Sequence, residues 1–121
     1  ALLLFLGGAD LPKEVRANRS SAIQRILSRL KMIKKWFRDN KSFSFCGSSI
    51  LIVYEGDTVP NAENGIELDM AQAKMIDFGR VRRNPQGDAG YLRGVTQLIR
   101  ILEEILKESF LETSKYIRLN R

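Results

Sequence analysis

The spacing of the apolar residues in this chain switches from helical to extended and back again, and that switch limits the folds open to it. Ile23, Ile26, Leu27, Leu30, Ile33 and Phe37 recur at three- and four-residue intervals. Arg25, Arg29, Lys31, Lys34, Lys35 and Arg38 occupy the positions between them. This pattern predicts an amphipathic helix, capped by Ser20 or Ser21 and running to about Phe37. From Ser42 to Tyr54 the text becomes aromatic and β-branched, SFSFCGSSILIVY. It predicts a strand or two, buried on both faces toward the end. The Gly-, Pro-, Asn- and Asp-rich stretch from Gly56 to about Leu68 reads as a loop. Ala73 to Phe78 reads as a short strand, and Gly79 to Gly90 as a second loop. Residues 91 to about 108 give the clearest helix, with Leu92, Val95, Leu98, Ile99, Leu102, Ile105 and Leu106 on its core face. Phe110 to Leu119 fits either a terminal helix or an extended tail. The order helix, strand hairpin, helix places the chain in the α+β class.

Several chemistries are excluded by what the sequence lacks. There is no histidine and one cysteine among 121 residues. That rules out an internal disulfide, Ser-His triads, His-based metal sites and zinc sites built on several cysteines. Cys46 has no histidine to activate it, so it is expected to be a buried structural residue. No stretch approaches the roughly 20 apolar residues of a membrane span. The opening ALLLFL has neither an initiator Met nor a basic segment before it, so it does not fit a signal peptide. A chain that starts inside an apolar run reads as a portion of something larger. Charge is uneven: residues 1–50 carry +7 and residues 51–121 carry −1, giving the net +6. The basic half fits an anionic partner such as nucleic acid, a membrane phosphoinositide or a polyphosphate ligand, or simply a solvated helix face.

Catalytic chemistry enters at Ile76-Asp77-Phe78-Gly79. An aspartate at the end of an apolar strand is costly unless its charge is paired or used. Protein kinases place such a residue against Mg²⁺ and the nucleotide phosphates. The alternative role is an Asp that caps the turn after it. Gly79 is expected to supply the sharp turn.

Three motifs in order extend this reading: Ser48-Ser49-Ile50-Leu51, then Met75-Ile76-Asp77-Phe78-Gly79, then Asp88-Ala89-Gly90-Tyr91-Leu92-Arg93-Gly94 running into Leu98-Ile99-Arg100-Ile101-Leu102. The order resembles the inositol polyphosphate kinase family, which carries an SSLL-type strand, an IDF strand end and a D-x-GY-x-x-G helix start followed by an LI-x-IL run. Lys35 through Gly56 looks most like the inositol polyphosphate multikinase branch. FLGG at residues 5–8 stands where the family often has a phenylalanine-rich turn. Gly79 followed by Arg80 looks instead like the inositol trisphosphate 3-kinase branch, because the multikinase branch usually reads IDFA followed by His. The substrate subfamily therefore stays open.

The resemblance implies the C-terminal lobe of a kinase-like two-lobe fold, with antiparallel strands packed against helices. It also implies ATP-dependent phosphoryl transfer to an inositol polyphosphate, with Mg²⁺ as cofactor and ATP as co-substrate. Asp77 matches the metal-binding, catalytic aspartate, which also serves the nucleotide. Ser49 falls in the nucleotide-binding motif. Leu51 matches the floor of the adenine pocket, or is a plain core leucine. Arg80 stands where the family has a His or Lys beside the substrate, or is a solvated loop arginine. Lys74 reads as a peripheral charge, and Asp88, Gly90, Tyr91 and Gly94 as architectural. The family signature P-x-x-x-D-x-K-x-G is not met: Pro12, Pro60 and Pro85 are followed four residues later by Arg16, Asn64 and Ala89. The expectation is a chain spanning residues 1–121 of a C-terminal catalytic portion, without its N-terminal lobe and inactive by itself. Such a chain would associate with that missing portion or with itself, in the cytoplasm or nucleus. The competing function class is a non-catalytic basic module binding nucleic acid or phosphoinositide through residues 25–41. It accounts for the basic half but not for the three ordered motifs, so nucleic acid is the less favoured partner.

Overall fold

A computed structural model describes residues 13–55 and 71–119, with side chains described for 19–55 and 71–108. ALLLFL, FLGG and the loop predicted over 56–68 lie outside the described residues. The elements run α1 (Lys13–Asp39), β1 (Phe43–Phe45), β2 (Ser49–Tyr54), β3 (Ala71–Ile76), β4 (Val81–Arg83) and α2 (Ala89–Leu119).

The first helix begins at Lys13, well before the serines predicted to cap it. The run Lys13 to Arg19 contains neither Gly nor Pro, and nothing in it stops the backbone hydrogen bonding from continuing. The helix ends where Asn40 donates to the Trp36 carbonyl twice, from its backbone N at 2.9 Å and its Nδ2 at 3.0 Å. That meets one of the carbonyls a helix end leaves without a partner. At the other end of the chain, α2 continues through Leu119, so 110–119 is helical rather than extended.

Asp88 caps α2. Its Oδ1 accepts from the Tyr91 backbone N at 2.9 Å, and its carbonyl accepts from Leu92 N at 3.1 Å. Its Oδ2 accepts from the Phe45 backbone N at 2.8 Å, tying β1 to the helix start. Asp88 is therefore architectural, as its sequence position suggests.

The strands form two separate antiparallel ribbons rather than one hairpin: β2 pairs with β3, and β1 with β4. The segment expected to be a loop after Gly79 contains β4. Asn84 organises the turn that follows. Its backbone N donates to the Ser42 carbonyl at 2.8 Å, and its Nδ2 donates to Ser44 Oγ at 2.8 Å and the Gly87 carbonyl at 2.9 Å. Gly87 has φ +73°, and a Cβ there would lie 3.0 Å from the Lys41 Cα, so both conformation and space call for glycine.

Helix α1 packs against both α2 and β3. Ile23, Ile26, Leu30 and Leu102 are wholly buried in this seam, with Val95 and Ile99 beside them. Ala71 and Ala73 belong to the same core, and their small side chains let the helix lie close to the strand. Lys31 and Glu103 form a half-exposed ion pair at 3.2 Å across the two helices, a contact of small energetic weight.

The β2–β3 ribbon is covered on one side only. In the register Ser49↔Ile76, Leu51↔Lys74 and Val53↔Gln72, the odd-numbered β2 residues share the outer face. Leu51 is 47% exposed and Val53 55% exposed, whereas Ile50, Ile52 and Tyr54 pack on the core. The expectation of burial on both faces is thus corrected. The helices supply one layer, and among the described residues nothing covers the other face.

Candidate nucleotide and metal site

The end of β3 and the start of β2 lie side by side, because Ser49 pairs with Ile76. Asp77 therefore emerges next to the SSIL segment. Ser48 Oγ donates to the Asp77 carbonyl at 2.8 Å, fastening the two segments together. Sequence reasoning assigned no role to Ser48; the doubled serine before Ile50 was the available signal.

Asp77 has φ +66° and is the one non-glycine residue in the left-handed region among the described residues. That conformation costs an L-residue about 1–2 kcal/mol, less for Asp than for most because its short polar side chain is tolerated there. The turn was expected from Gly79, but φ at Gly79 is not left-handed and a Cβ there would meet nothing within 4 Å. The strain sits on the acid instead. Its carboxylate is exposed and has no protein partner among the described residues. Asp77 is therefore not capping the following turn. Strain held at a polar residue of this kind is a feature of functional sites.

Ser49 and Leu51 stand on the open face of the ribbon. Leu51 is accordingly not a core leucine. Lys74, which sequence reasoning set aside as peripheral, is the cross-strand partner of Leu51 and is exposed on the same face. Arg80 lies in the turn before β4, and its Cδ comes within 4.0 Å of where a Cβ on Gly47 would stand. Gly47 has φ +75°, which lets the β1–β2 turn fold beneath that arginine. Ser49 and Asp77 thus stand at one end of the β2–β3 ribbon, with Arg80 in the turn that follows and Leu51 two residues along β2.

No group of three or more Cys, Asp or Glu side chains able to hold a metal occurs among the described residues. Asp77 alone fits Mg²⁺ in one respect: this ion is commonly held through one or two carboxylates, with waters and substrate phosphates completing the shell.

A separate cleft of about 560 Å³ opens between the β1–β2 turn and the start of α2, lined in part by Cys46, Ser48, Ile50, Tyr91 and Gly94. Ile50 places it on the inner side of β2, and none of Asp77, Ser49, Leu51 or Arg80 reaches it. Cys46 is exposed here, at a turn rather than in the core, which corrects the expectation of burial. A Cβ at Gly94 would meet nothing within 4 Å, so close packing does not require glycine there. Tyr91 stacks on Phe37 with ring centroids 4.7 Å apart, and burial followed by the neighbouring Asp88 charge pushes its phenol above the usual value. Asp88 is spent on the two backbone N–H groups of Phe45 and Tyr91, so the cleft holds no uncommitted acid.

Comparison with known proteins agrees with the three ordered motifs. The family model for inositol polyphosphate kinase matches residues 2–103. Inositol polyphosphate multikinase beta of Arabidopsis thaliana is 30% identical over 84 residues, covering 68% of this chain and 28% of that protein. Its alpha counterpart is 31% identical over 83 residues with the same coverage. The inositol phosphate multikinase Ipk2 of S. cerevisiae, solved in complex with ADP and Mn²⁺, superimposes with a TM-score of 0.65 at 20% identity. That match covers 87% of this chain and 44% of the yeast chain, and it shows a shared kinase fold. This chain thus spans less than a third of the length of the plant relatives. By its matched family model and its ordered motifs, the chain belongs to the inositol polyphosphate kinase family.

Proposed function

We propose that this chain supplies the metal- and nucleotide-bearing part of a kinase that transfers the γ-phosphoryl group of ATP to an inositol polyphosphate. The observation that carries the reading is Asp77: an exposed, unpartnered carboxylate held in a strained backbone at a strand end, beside an open apolar strip. Leu51 and Val53 offer a flat apolar floor to a purine, with Ser49 between that floor and the acid. Lys74 brings a positive charge to the same face. Asp77 would hold Mg²⁺, which when bound neutralises charge on the nucleotide phosphates. Arg80 has a permanently charged fork suited to a phosphate of the inositol substrate. The chemistry needs no covalent enzyme intermediate, only positioning and charge neutralisation. The ADP and Mn²⁺ held by the yeast relative support this assignment of ligands.

On this proposal the chain forms the C-terminal lobe of a two-lobe enzyme, and residues 1–121 alone do not turn over substrate. Nucleotide binding by the chain, read by calorimetry with and without Mg²⁺ or Mn²⁺, tests the metal half. Metal-dependent binding that Asp77→Asn removes is the expected result, and binding indifferent to both the metal and that substitution would overturn it. The substrate half is tested in the complete enzyme. Arg80→Ala should raise KM for the inositol phosphate far more than for ATP, at a cost of about 1.5–3 kcal/mol for one charge-assisted contact. Equal effects on both substrates would remove Arg80 from the substrate site.

A further inference from the structure

One surface of the molecule is left unused by that site. Met32, Lys35 and Trp36 form a single stripe on the last turns of α1, since residues three and four apart are neighbours on a helix. Met32 is 62% exposed and Trp36 42% exposed. Trp36 does not stand alone: its ring meets Phe45 edge-on at 5.6 Å, so the stripe continues onto the β1–β4 ribbon. Phe43 shares the ribbon face of Phe45 and is exposed, and its cross-strand partner is Arg83. Lys35 lies on this strip and Arg83 stands opposite Phe43, with exposed Arg38 and Lys41 in the same segment, against the single exposed acid Asp39, which shares the helix face of Trp36. None of these four cations forms an ion pair among the described residues.

We infer that this face docks on an anionic lipid membrane. Cations alone would suit any polyanion. The added apolar side chains favour lipid: a soluble polyphosphate offers nothing to Met32 or Phe43, and although Trp36 and Phe43 could stack on bases, Met32, the most exposed of the three, has no flat face to do so. A bilayer interface accepts both kinds of group at once. It takes Trp, Phe and Met side chains at the headgroup boundary and draws Lys and Arg to the anionic surface. The contact is peripheral, because no described helix is long and apolar enough to cross a membrane. The inference does not depend on the kinase reading, because it uses neither Asp77 nor Arg80.

Trp36 is the one tryptophan in the chain, and it lies within the proposed contact. Its emission is therefore a direct probe. The 121-residue chain is titrated with vesicles of phosphatidylcholine alone and of phosphatidylcholine mixed with phosphatidylserine, and its mass is measured without lipid. A blue shift with the anionic vesicles alone supports the docking face. Lys35→Gln with Arg83→Gln should then weaken partitioning about 30-fold, from roughly 1 kcal/mol for each cation near the surface. Phe43→Ser, at an exposed position, should weaken it further, with an unchanged circular dichroism spectrum showing that the fold persists. No shift, or an equal shift with neutral vesicles, would overturn the proposal. So would a shifted emission in a lipid-free dimer, which means that a second copy covers the face. Tighter binding of single-stranded RNA than of vesicles, read on the same tryptophan, would transfer the face to nucleic acid.

Discussion

At the scale of single residues, Asp77 combines an exposed carboxylate with a left-handed backbone. Asp77 stands out in the sequence because a carboxylate ends an apolar strand, a placement that solvation alone makes conspicuous. Its left-handed backbone could not be read there, since the neighbouring Gly79 was the better candidate for any unusual φ. The same strain yields a prediction. Asp77→Gly should leave stability unchanged or raise it by up to about 1–2 kcal/mol, because glycine adopts this φ without a Cβ clash. It should also abolish metal-dependent nucleotide binding. Thermal melting and calorimetry on the same sample check both halves, and a clear loss of stability would show that the Asp77 side chain has a structural role. Cys46 teaches the converse. A free cysteine is commonly buried, but this one lies in a turn beside Gly47, where the chain reverses at the surface.

At the scale of elements, the helices were legible and the strand pairing was not. The apolar stripe of α2 and the aspartate before it predict the helix and its start, and Asp88 serves as the cap. Its second oxygen does something no local pattern reveals, holding the backbone N of Phe45 from 43 residues away. Asp88→Ala therefore removes a helix cap and also leaves a part-buried N–H without its partner. The combined loss should be about 2–3 kcal/mol, from roughly 1 kcal/mol for the cap and 1–2 kcal/mol for the orphaned donor. Asp88→Asn keeps one acceptor oxygen and should recover part of it. Urea unfolding of the three proteins measures this, and a loss under 1 kcal/mol for the alanine variant would mean that the tie to β1 carries no weight. The two-ribbon arrangement escaped sequence reasoning because β4 is three residues long and rich in arginine, with none of the alternation that marks a strand.

At the scale of the whole molecule, stability rests on the seam where α1 meets α2 and β3. Leu102 is wholly buried there, and Leu102→Ala should cost about 2–5 kcal/mol through lost burial and the cavity left behind. The urea midpoint should fall with little change in slope; a variant within 1 kcal/mol of the parent would place the core elsewhere. Which residues face this seam was determined by the sequence itself. Helical periodicity is a relation among neighbours three and four positions apart, and it survives whatever the helix later packs against. The order of the SSIL, MIDFG and DAGYLRG motifs was likewise readable, and with it the family. What the tertiary structure alone decided is which side of each strand is left open. SILIVY has an apolar residue at almost every position, so its text is the same whether one face is covered or both. Only the packing of both helices on the side of Ile50 and Ile52 leaves Leu51 and Val53 outside, and that choice turns a core strand into the floor of a candidate site.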